Sequence, residues 1–447
     1  MDLEKIEQHR GKVILQFAIP SIIAMVLTSL INIVDGFFIG NYVGTEGLAA
    51  VNLGLPIVYL YLAIGLMISV GGIAIAGRLL GADKIDACNQ VFRQTVMLCI
   101  IVSVALTLGM YFVLEPISKL FQADAVTRQY FNAYYGILIF ELPLMVITSS
   151  LGMFIRGEGN PVFVMVTNVV AVVLNVIFNY IFVGPLGLGI EGIAWASLLS
   201  AAIVLGISVV YLMKYAKVFR FGKFTFDKEV LKEMLFNGSS EFIGEFAMCL
   251  SMAAYNKVVL EQAGVDGVAA FTIIGYVSYI FSMIIVGFGQ GIVPIISFAY
   301  GAKKSLIARQ VRNTTLKMVV GVAVGIFFIM SLLAGWYSSL FSDSVQVANL
   351  VTPGLKLQMS SFVFAGINTI ASFYFTAVGR AKESAVISAS RGLVVLMIAI
   401  FILPALLGIT GVWLVSLTTE SVTLIFTLGY IRRNTMEENN YAQSYCH

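Results

Sequence analysis

The sequence predicts an all-α polytopic membrane protein with twelve transmembrane helices in two pseudo-symmetric six-helix lobes. Three observations predict this class: a very low charge content, apolar runs long enough to cross a bilayer, and an internal repeat. Of the 447 residues, 59% are hydrophobic and only 11% are charged, and the mean hydropathy is +0.94. A soluble protein of this size carries about 25% charged residues. The composition therefore excludes a soluble globular protein.

The apolar runs are separated by glycine, proline and charge clusters, and each is long enough for a membrane helix. The segment before the first run, MDLEKIEQHRGK, is charged, and the run itself is too long for a cleavable signal, so we expect the first helix to be retained. The predicted spans are 13–39, 50–76, 93–117, 131–155, 160–184, 190–214, 232–258, 269–297, 313–338, 353–378, 384–407 and 410–431.

The distribution of positive charge predicts the orientation, because Lys and Arg accumulate on the cytoplasmic side of membrane spans. Most of them lie at the N-terminus, in the loops after even-numbered spans (Arg78, Arg156 and Arg312 among them) and at the C-terminus. The opposite side carries only Lys119, Arg128, Lys257 and Lys356. Both termini are therefore predicted to be cytoplasmic, in a multi-pass protein of the plasma (inner) membrane.

Several function classes are excluded by what the sequence lacks. A net charge of +3 gives no basic field for nucleic acid. Four scattered cysteines, Cys88, Cys99, Cys249 and Cys446, form neither a disulfide framework nor a zinc motif. The two histidines, His9 and His447, lie near the termini, and no nucleophile–base pair or metal motif is evident. We therefore expect neither an enzyme nor a resident cofactor.

An internal repeat relates the two halves of the chain at an offset of 220 residues. GTEGLAAVNLG at 44–54 matches GVDGVAAFTIIG at 264–275, and LLGADK at 79–84 matches AYGAKK at 299–304. Farther on the offset is 219, where Gly189 aligns with Gly408 and Ser197 with Ser416. Because each half has an even number of spans, the repeat is parallel, about an axis along the membrane normal.

The repeat predicts the domain organisation and a transport function. The N-lobe is 1–214, the basic cytoplasmic linker 215–231, the C-lobe 232–433 and the cytoplasmic tail 434–447. Two such lobes on either side of a midplane site are what alternating access requires. Duplication of a structural unit without transport is the simpler alternative.

Polar residues inside spans are expensive and therefore mark candidate sites. In the first half these are Asp35 in the outer half of span one, Asn32 one turn before it, and Asn175 and Asn179 on one face of span five. With the Ser197 hydroxyl, they can hold a proton or a hard cation, and sodium at Asp35, Asn175 and Asn179 is the metal alternative. Hydrogen bonding between helices is the structural alternative for the asparagines.

In the second half, span seven carries Glu241 and Glu245 one turn apart, with Tyr255 and Asn256 toward its outer end. Two neighbouring carboxylates in a low-dielectric site cannot both ionise cheaply, which makes them candidate proton carriers. For Arg391 and Glu420 two interpretations stay open: a structural ion pair or a gate at the inner mouth, and a role in substrate binding. For Glu141 a structural role is favoured. The remaining candidates for cation coupling or substrate binding are Gln290, Asn368, Arg391 and Glu420.

The chain resembles the multidrug and toxic compound extrusion (MATE) family from about residue 11 to residue 433. The resemblance lies in AIPSIIAMVLTSLINIVDGFFIGNYVGTEGLAAVNLG, AGRLLGADK, LNVIFNYIF and GFGQGIVPIISFAYGAKK, and in their order and spacing. It implies two six-helix lobes in a V and export of small organic cations, driven by a proton or sodium gradient. By position, Asp35, Asn175, Ser197 and Thr28 match polar positions of the family.

Two departures from the family pattern bear on the coupling ion. Asn179 stands where the family often has an aspartate, which leaves Asp35 as the only carboxylate of its cluster and favours protons. Glu241 and Glu245 lie about a turn from the expected glutamate, and Asn368 lies near an expected aspartate. We expect a monomer surrounded by membrane lipid, and a lipid-linked oligosaccharide flippase of the same superfamily is the alternative function.

Overall fold

The computed structural model describes residues 3–120, 124–223, 225–341 and 344–444, which contain helices and no strand. Cys446 and His447, with the end of the predicted tail, lie outside the described residues. A short helix, Leu3–Gln8, precedes the long ones. The long helices are Arg10–Tyr42, Thr45–Gly81, Ile85–Leu120, Ala125–Gly157, Pro161–Val183, Gly189–Lys214, Lys228–Gly301, Ser305–Ser339, Val345–Ala377, Ala381–Ala389 continued through Ser390–Val394 and Val395–Leu407, and Ile409–Ser444.

These helices correspond to the twelve predicted spans, which we number 1 to 12 in chain order. Ten helices in the described part of the chain are long and apolar enough to cross a bilayer. The helix Lys228–Gly301 contains two spans, because Gly264 at φ 59° and ψ −151° breaks its helical course. Val345–Ala377 is the remaining span, 33 residues long. The all-helical class is confirmed.

The repeat is visible in the backbone as well as in the sequence. Gly44, between spans 1 and 2, has φ 101°, and Gly264, between spans 7 and 8, has φ 59°. Gly189 and Gly408 both have φ 58° at the starts of spans 6 and 12. A positive φ is sterically easy only for glycine. The repeated glycines are therefore required by the same turns in both halves.

Glycines also let the two halves meet backbone to backbone at one end of the bundle. A Cβ on Gly81 would lie 2.0 Å from the carbonyl oxygen of Phe298, and one on Gly301 would lie 2.0 Å from that of Arg78. Residues 78 and 298 are themselves 220 apart, so the contact is reciprocal. A Cβ on Gly238 would lie 1.8 Å from the oxygen of Met67. Span 2 is thus in close backbone contact with spans 7 and 8.

At the other end, glycine contacts remain within one half. Gly54 of span 2 packs on Tyr135 of span 4, and Gly354 of span 10 packs on Trp413 of span 12. Gly36 and Gly275, also toward this end, have open space where a Cβ would be. These glycine contacts therefore join the halves at the end that carries the first residues of span 1.

Gly238→Ala should lower the melting temperature of the purified protein by about 5 °C, because the added methyl group meets the Met67 carbonyl across the interface. Gly244→Ala in the same span meets no atom within 4 Å and is the matched control. Its melting temperature should stay level or rise, since alanine favours a helix over glycine. Equal melting temperatures for the two variants would contradict the tight contact.

Candidate functional site

A buried polar cluster joins spans 1, 5 and 6 inside the first half. Asp35 is 7% exposed, and Asn175 and Asn179 are fully buried. Asn175 Nδ2 donates to Asp35 Oδ1 at 3.1 Å and Asn179 Nδ2 donates to the same oxygen at 2.8 Å. Ser197 Oγ donates to Asp35 Oδ2 at 3.0 Å. The structure thus brings together the four residues that the sequence analysis grouped.

The local sequence explains this convergence. Asn175 and Asn179 lie one turn apart in span 5 and so share a helix face. Asn179 Nδ2 also donates to Asn175 Oδ1, and Asn175 Nδ2 to Ser197 Oγ, both at 3.1 Å. These bonds hold the three neutral side chains around the carboxylate of span 1. The same bonds join spans 1, 5 and 6 to each other, so the cluster also contains the hydrogen bonds between helices that the structural alternative predicts.

The cluster has no internal counter-charge. Within the described residues, no Lys or Arg forms an ion pair with Asp35. Asn179 Oδ1 is buried and has no hydrogen-bond partner there. Buried polar atoms are rarely left unpaired in native proteins. The cluster therefore offers one carboxylate and one free amide oxygen to a proton-bearing or cationic partner.

Span 4 borders this cluster. Tyr134 is 4% exposed and lies within electrostatic range of Asp35, as does the carboxyl of Glu141. Glu141, for which the sequence favours a structural role, is thus within electrostatic range of the candidate site. Thr28 donates to the backbone of Ala24 and to Asn168 Oδ1 at 3.1 Å, and Asn32 is exposed. Neither Thr28 nor Asn32 contacts the carboxylate of Asp35.

The acids of span 7 lie apart from the Asp35 cluster. Glu241 and Glu245 are both partly exposed, one helical turn apart. Glu245 lies within electrostatic range of Tyr59 in span 2 and Tyr279 in span 8. These two tyrosines are 220 residues apart, so the repeat relates them. Glu245 is therefore within electrostatic range of one tyrosine from each half.

Spans 10, 11 and 12 form a second buried cluster around Glu420. Arg391 Nη2 donates to Glu420 Oε1 at 2.6 Å, and Asn368 Nδ2 donates to Glu420 Oε2 at 2.7 Å. Of the two possibilities left open for Arg391 and Glu420, the structure shows their ion pair. Glu241 lies within electrostatic range of Arg391, which links this cluster to span 7.

Three further candidates lie at other places. Tyr255 is hydrogen-bonded to Ser416 at 3.2 Å, and Asn256 is exposed. Gln290 Oε1 accepts from Arg156 Nη1 at 3.0 Å across the contact between the halves. None of the three belongs to the Asp35 cluster.

Sequence reasoning missed two buried arginines and the tyrosine pair. Arg156 is 3% exposed and Arg312 is 2% exposed, although we placed both in cytoplasmic loops. Arg312 lies 4.6 Å from the Tyr374 ring centroid in a cation–π contact. Hydropathy locates span ends but not the face that a residue occupies. The tyrosines Tyr59 and Tyr279 could have been found from their offset of 220 residues.

Within the described residues, no group of three or more His, Cys, Asp and Glu side chains could hold a metal ion. The Asp35 cluster has one carboxylate and otherwise neutral oxygens. This donor set suits a proton or a monovalent cation better than a divalent metal.

Comparisons with known proteins agree with this architecture. Residues 20–181 and 242–402 match the MatE family model, one segment in each half. The multidrug export protein MepA of Staphylococcus saprophyticus is 23% identical over 421 residues, covering 94% of this chain and 92% of that protein. MepA of Staphylococcus haemolyticus is 25% identical over 418 residues, covering 92% and 91%.

A solved structure shows the same fold. An outward-facing multidrug resistance MATE family transporter of the MOP superfamily aligns with a TM-score of 0.91 at 23% identity, covering 96% of each chain. The two-lobed, twelve-span architecture is thereby matched over nearly the whole length.

Asn179→Asp should create a sodium response, because a second carboxylate would then lie about 3 Å from Asp35 Oδ1. We expect the melting temperature of this variant to rise when choline chloride is replaced by sodium chloride at equal ionic strength. The unchanged protein should show no such rise.

Asn168→Asp is the matched control, since it places the same substitution three turns earlier in span 5, away from Asp35. A sodium-dependent rise in Asn168→Asp, or none in Asn179→Asp, would contradict this account of the cluster.

Proposed function

The chain belongs to the MatE family of membrane transporters, and from this premise we propose that it exports small organic cations in exchange for protons. The observation that carries this proposal is the Asp35 cluster: a buried carboxylate held by three neutral donors, with no internal cation among the described residues. A buried carboxylate without a counter-charge is costly, and taking up a proton removes the cost. Sodium is the alternative coupling ion.

The neighbouring carboxamides suit both states of Asp35. Toward the ionised carboxylate they present N–H groups, as the structure shows. A protonated carboxyl needs an acceptor for its own O–H, and turning a carboxamide exchanges its NH₂ for its oxygen. The Oδ1 of Asn179 has no hydrogen-bond partner, so turning this carboxamide toward a protonated Asp35 breaks no bond made by that oxygen. The cluster can therefore accommodate binding and release of a proton.

Span 1 connects this cluster to the contact between the halves. Ala18 and Ile22 of span 1 pack directly on Gly291 and Gly287 of span 8. Pro20 lies between them and removes one backbone donor from the helix. We propose that a change of charge at Asp35 alters the bending of span 1 at Pro20. Such bending would open or close the contact with span 8 and give alternating access.

The acids of span 7 are proposed to receive the organic cation. Glu245 supplies a negative charge, and Tyr59 and Tyr279 supply the aromatic faces that attract cations. Glu241, one turn away, extends the negative surface. The flippase alternative needs free intramembrane cations for a pyrophosphate, whereas the guanidinium of Arg391 is engaged by Glu420.

In this proposal the protein acts as a monomer in the plasma membrane, with membrane lipid around it and both termini in the cytoplasm. The closed contact between the halves then lies at the cytoplasmic end, and the V opens outward. No cofactor is required beyond the ion gradient.

Asp35→Asn should abolish proton-driven ethidium transport in everted vesicles, because the carboxamide cannot exchange a proton. Proton and sodium gradients are imposed separately, and ethidium fluorescence is followed. Asp86→Asn, an exposed acid at the start of span 3, is the matched control and should transport normally. Full transport by Asp35→Asn, or transport by the unchanged protein that ignores both gradients, would overturn the proposal.

Glu245→Gln should raise the Kd for a cationic dye about 10-fold, the size expected for losing one charge-assisted contact. Binding is measured by fluorescence polarisation on purified protein, with a neutral dye of similar size for comparison. Glu261→Gln, an exposed acid of the same helix that pairs with Lys257, is the matched control. An equal loss for cationic and neutral dyes would show that Glu245 does not recognise charge.

A further inference from the structure

The second half contains a buried carboxylate, Glu420, that differs from Asp35 in having a permanent counter-charge. Arg391 donates to Glu420 Oε1 from Nε at 3.0 Å and from Nη2 at 2.6 Å. Glu420 is 8% exposed. A buried carboxylate with two guanidinium hydrogen bonds has its charge neutralised within the protein.

Further hydrogen bonds join Glu420 and Arg391 to spans 10 and 12. Glu420 Oε2 accepts from Asn368 at 2.7 Å, and Asn368 Oδ1 accepts from Thr427 at 2.7 Å. Arg391 Nη1 donates to Thr369 Oγ1 at 2.5 Å. In the Asp35 cluster, by contrast, an amide oxygen is left without a partner. Both carboxylate oxygens of Glu420 are thus engaged by protein donors, although the neighbouring hydroxyls of Thr419 and Thr423 are buried without a partner.

The backbone around Arg391 forms an irregular turn that packs closely on span 7. Residues Ser390–Val394 form a π-helical turn within span 11. Ser251 Oγ of span 7 donates to the carbonyl oxygen of Gly392 at 3.2 Å, and a Cβ on Gly392 would lie 2.6 Å from Ala247. Turns of this type are rare and occur frequently at functional sites.

The repeat shows that this ion pair belongs to the second half alone. The residues 219 positions before Arg391 and Glu420 are Val172 and Ala201. Conversely, the residue 220 positions after Asp35 is Tyr255, which is bonded to Ser416, the counterpart of Ser197. Each half thus has its own carboxylate cluster, and among the residues that the structure describes only the second cluster contains a cation.

We propose that Arg391 is a tethered cation that permanently occupies the carboxylate site of the second half, so that this site takes no external ion. This inference rests on the proposed antiport, in which it confines exchange of the coupling ion to Asp35. Without the guanidinium, Glu420, Thr369 and nearby Glu241 would present oxygen ligands of net negative charge. A latent sodium site would then become available.

The test uses sodium-dependent melting of the purified full chain. Asp35→Asn removes the carboxylate of the first half and should melt at the same temperature in sodium chloride and in choline chloride of equal ionic strength. Asp35→Asn/Arg391→Met should melt higher in sodium, by about 3 °C or more. Adding Glu420→Gln should remove this rise, and Asp35→Asn/Arg391→Lys, which retains a tethered cation, should show none.

A sodium response in Asp35→Asn alone would overturn the proposal, because the second half would then bind an external ion beside Arg391. Absence of a response in the folded Arg391→Met variant would overturn it as well. If that variant does not fold, Arg391→Gln, which retains a donor for Glu420, takes its place under the same expectations. Melting does not depend on drug export, so failure here is distinguishable from failure of the antiport proposal in the efflux assay.

Discussion

The constraint on which this structure depends is that a carboxylate inside a membrane has no water to solvate it. Each buried acid must therefore be neutralised by a proton or a cation, or solvated by fixed donors. Asp35 is solvated by three neutral donors that leave its charge in place. Glu420 is neutralised by Arg391. In the proposed mechanism, the first arrangement gives a site whose charge changes and the second gives a site whose charge is fixed.

This difference is imposed on a duplicated scaffold. The backbone repeats closely enough that Gly81 and Gly301 make reciprocal contacts with the carbonyls of Phe298 and Arg78. The hydroxyls Ser197 and Ser416 are also retained, whereas Asp35 is replaced by Tyr255 in the second half. The repeat thus retains the contact between the halves and one hydroxyl inside each half, whereas the residue bonded to that hydroxyl changes from an aspartate to a tyrosine.

How much could be predicted from sequence follows from what each signal measures. Spacing of one helical turn was enough to group Asn175 with Asn179, and low charge and the repeat were enough for the fold class. Hydropathy cannot report helix rotation, so Arg156 and Arg312 were assigned to loops although both are buried. It also ended span 12 at residue 431, whereas the helix Ile409–Ser444 continues through polar residues. Hydrogen bonding sustains a helix beyond the apolar part, and composition does not show where it stops.

In the proposed antiport, the helix that carries the variable charge also carries the contact between the halves, and this arrangement would let a local event act at a distance. Asp35 lies thirteen positions after Ile22 in span 1, or about 20 Å along the helix at 1.5 Å per residue. The Ile22 end is held by the backbone of span 8, where Gly287 allows no side chain between them. At the Asp35 end, the helix is joined to spans 5 and 6 by hydrogen bonds whose strength depends on the charge of the carboxylate. Pro20 weakens the ladder at the fixed end, so a change in those hydrogen bonds would be relieved by bending there. In the proposed mechanism, one proline-containing helix therefore connects a charge change at one end to a backbone contact at the other.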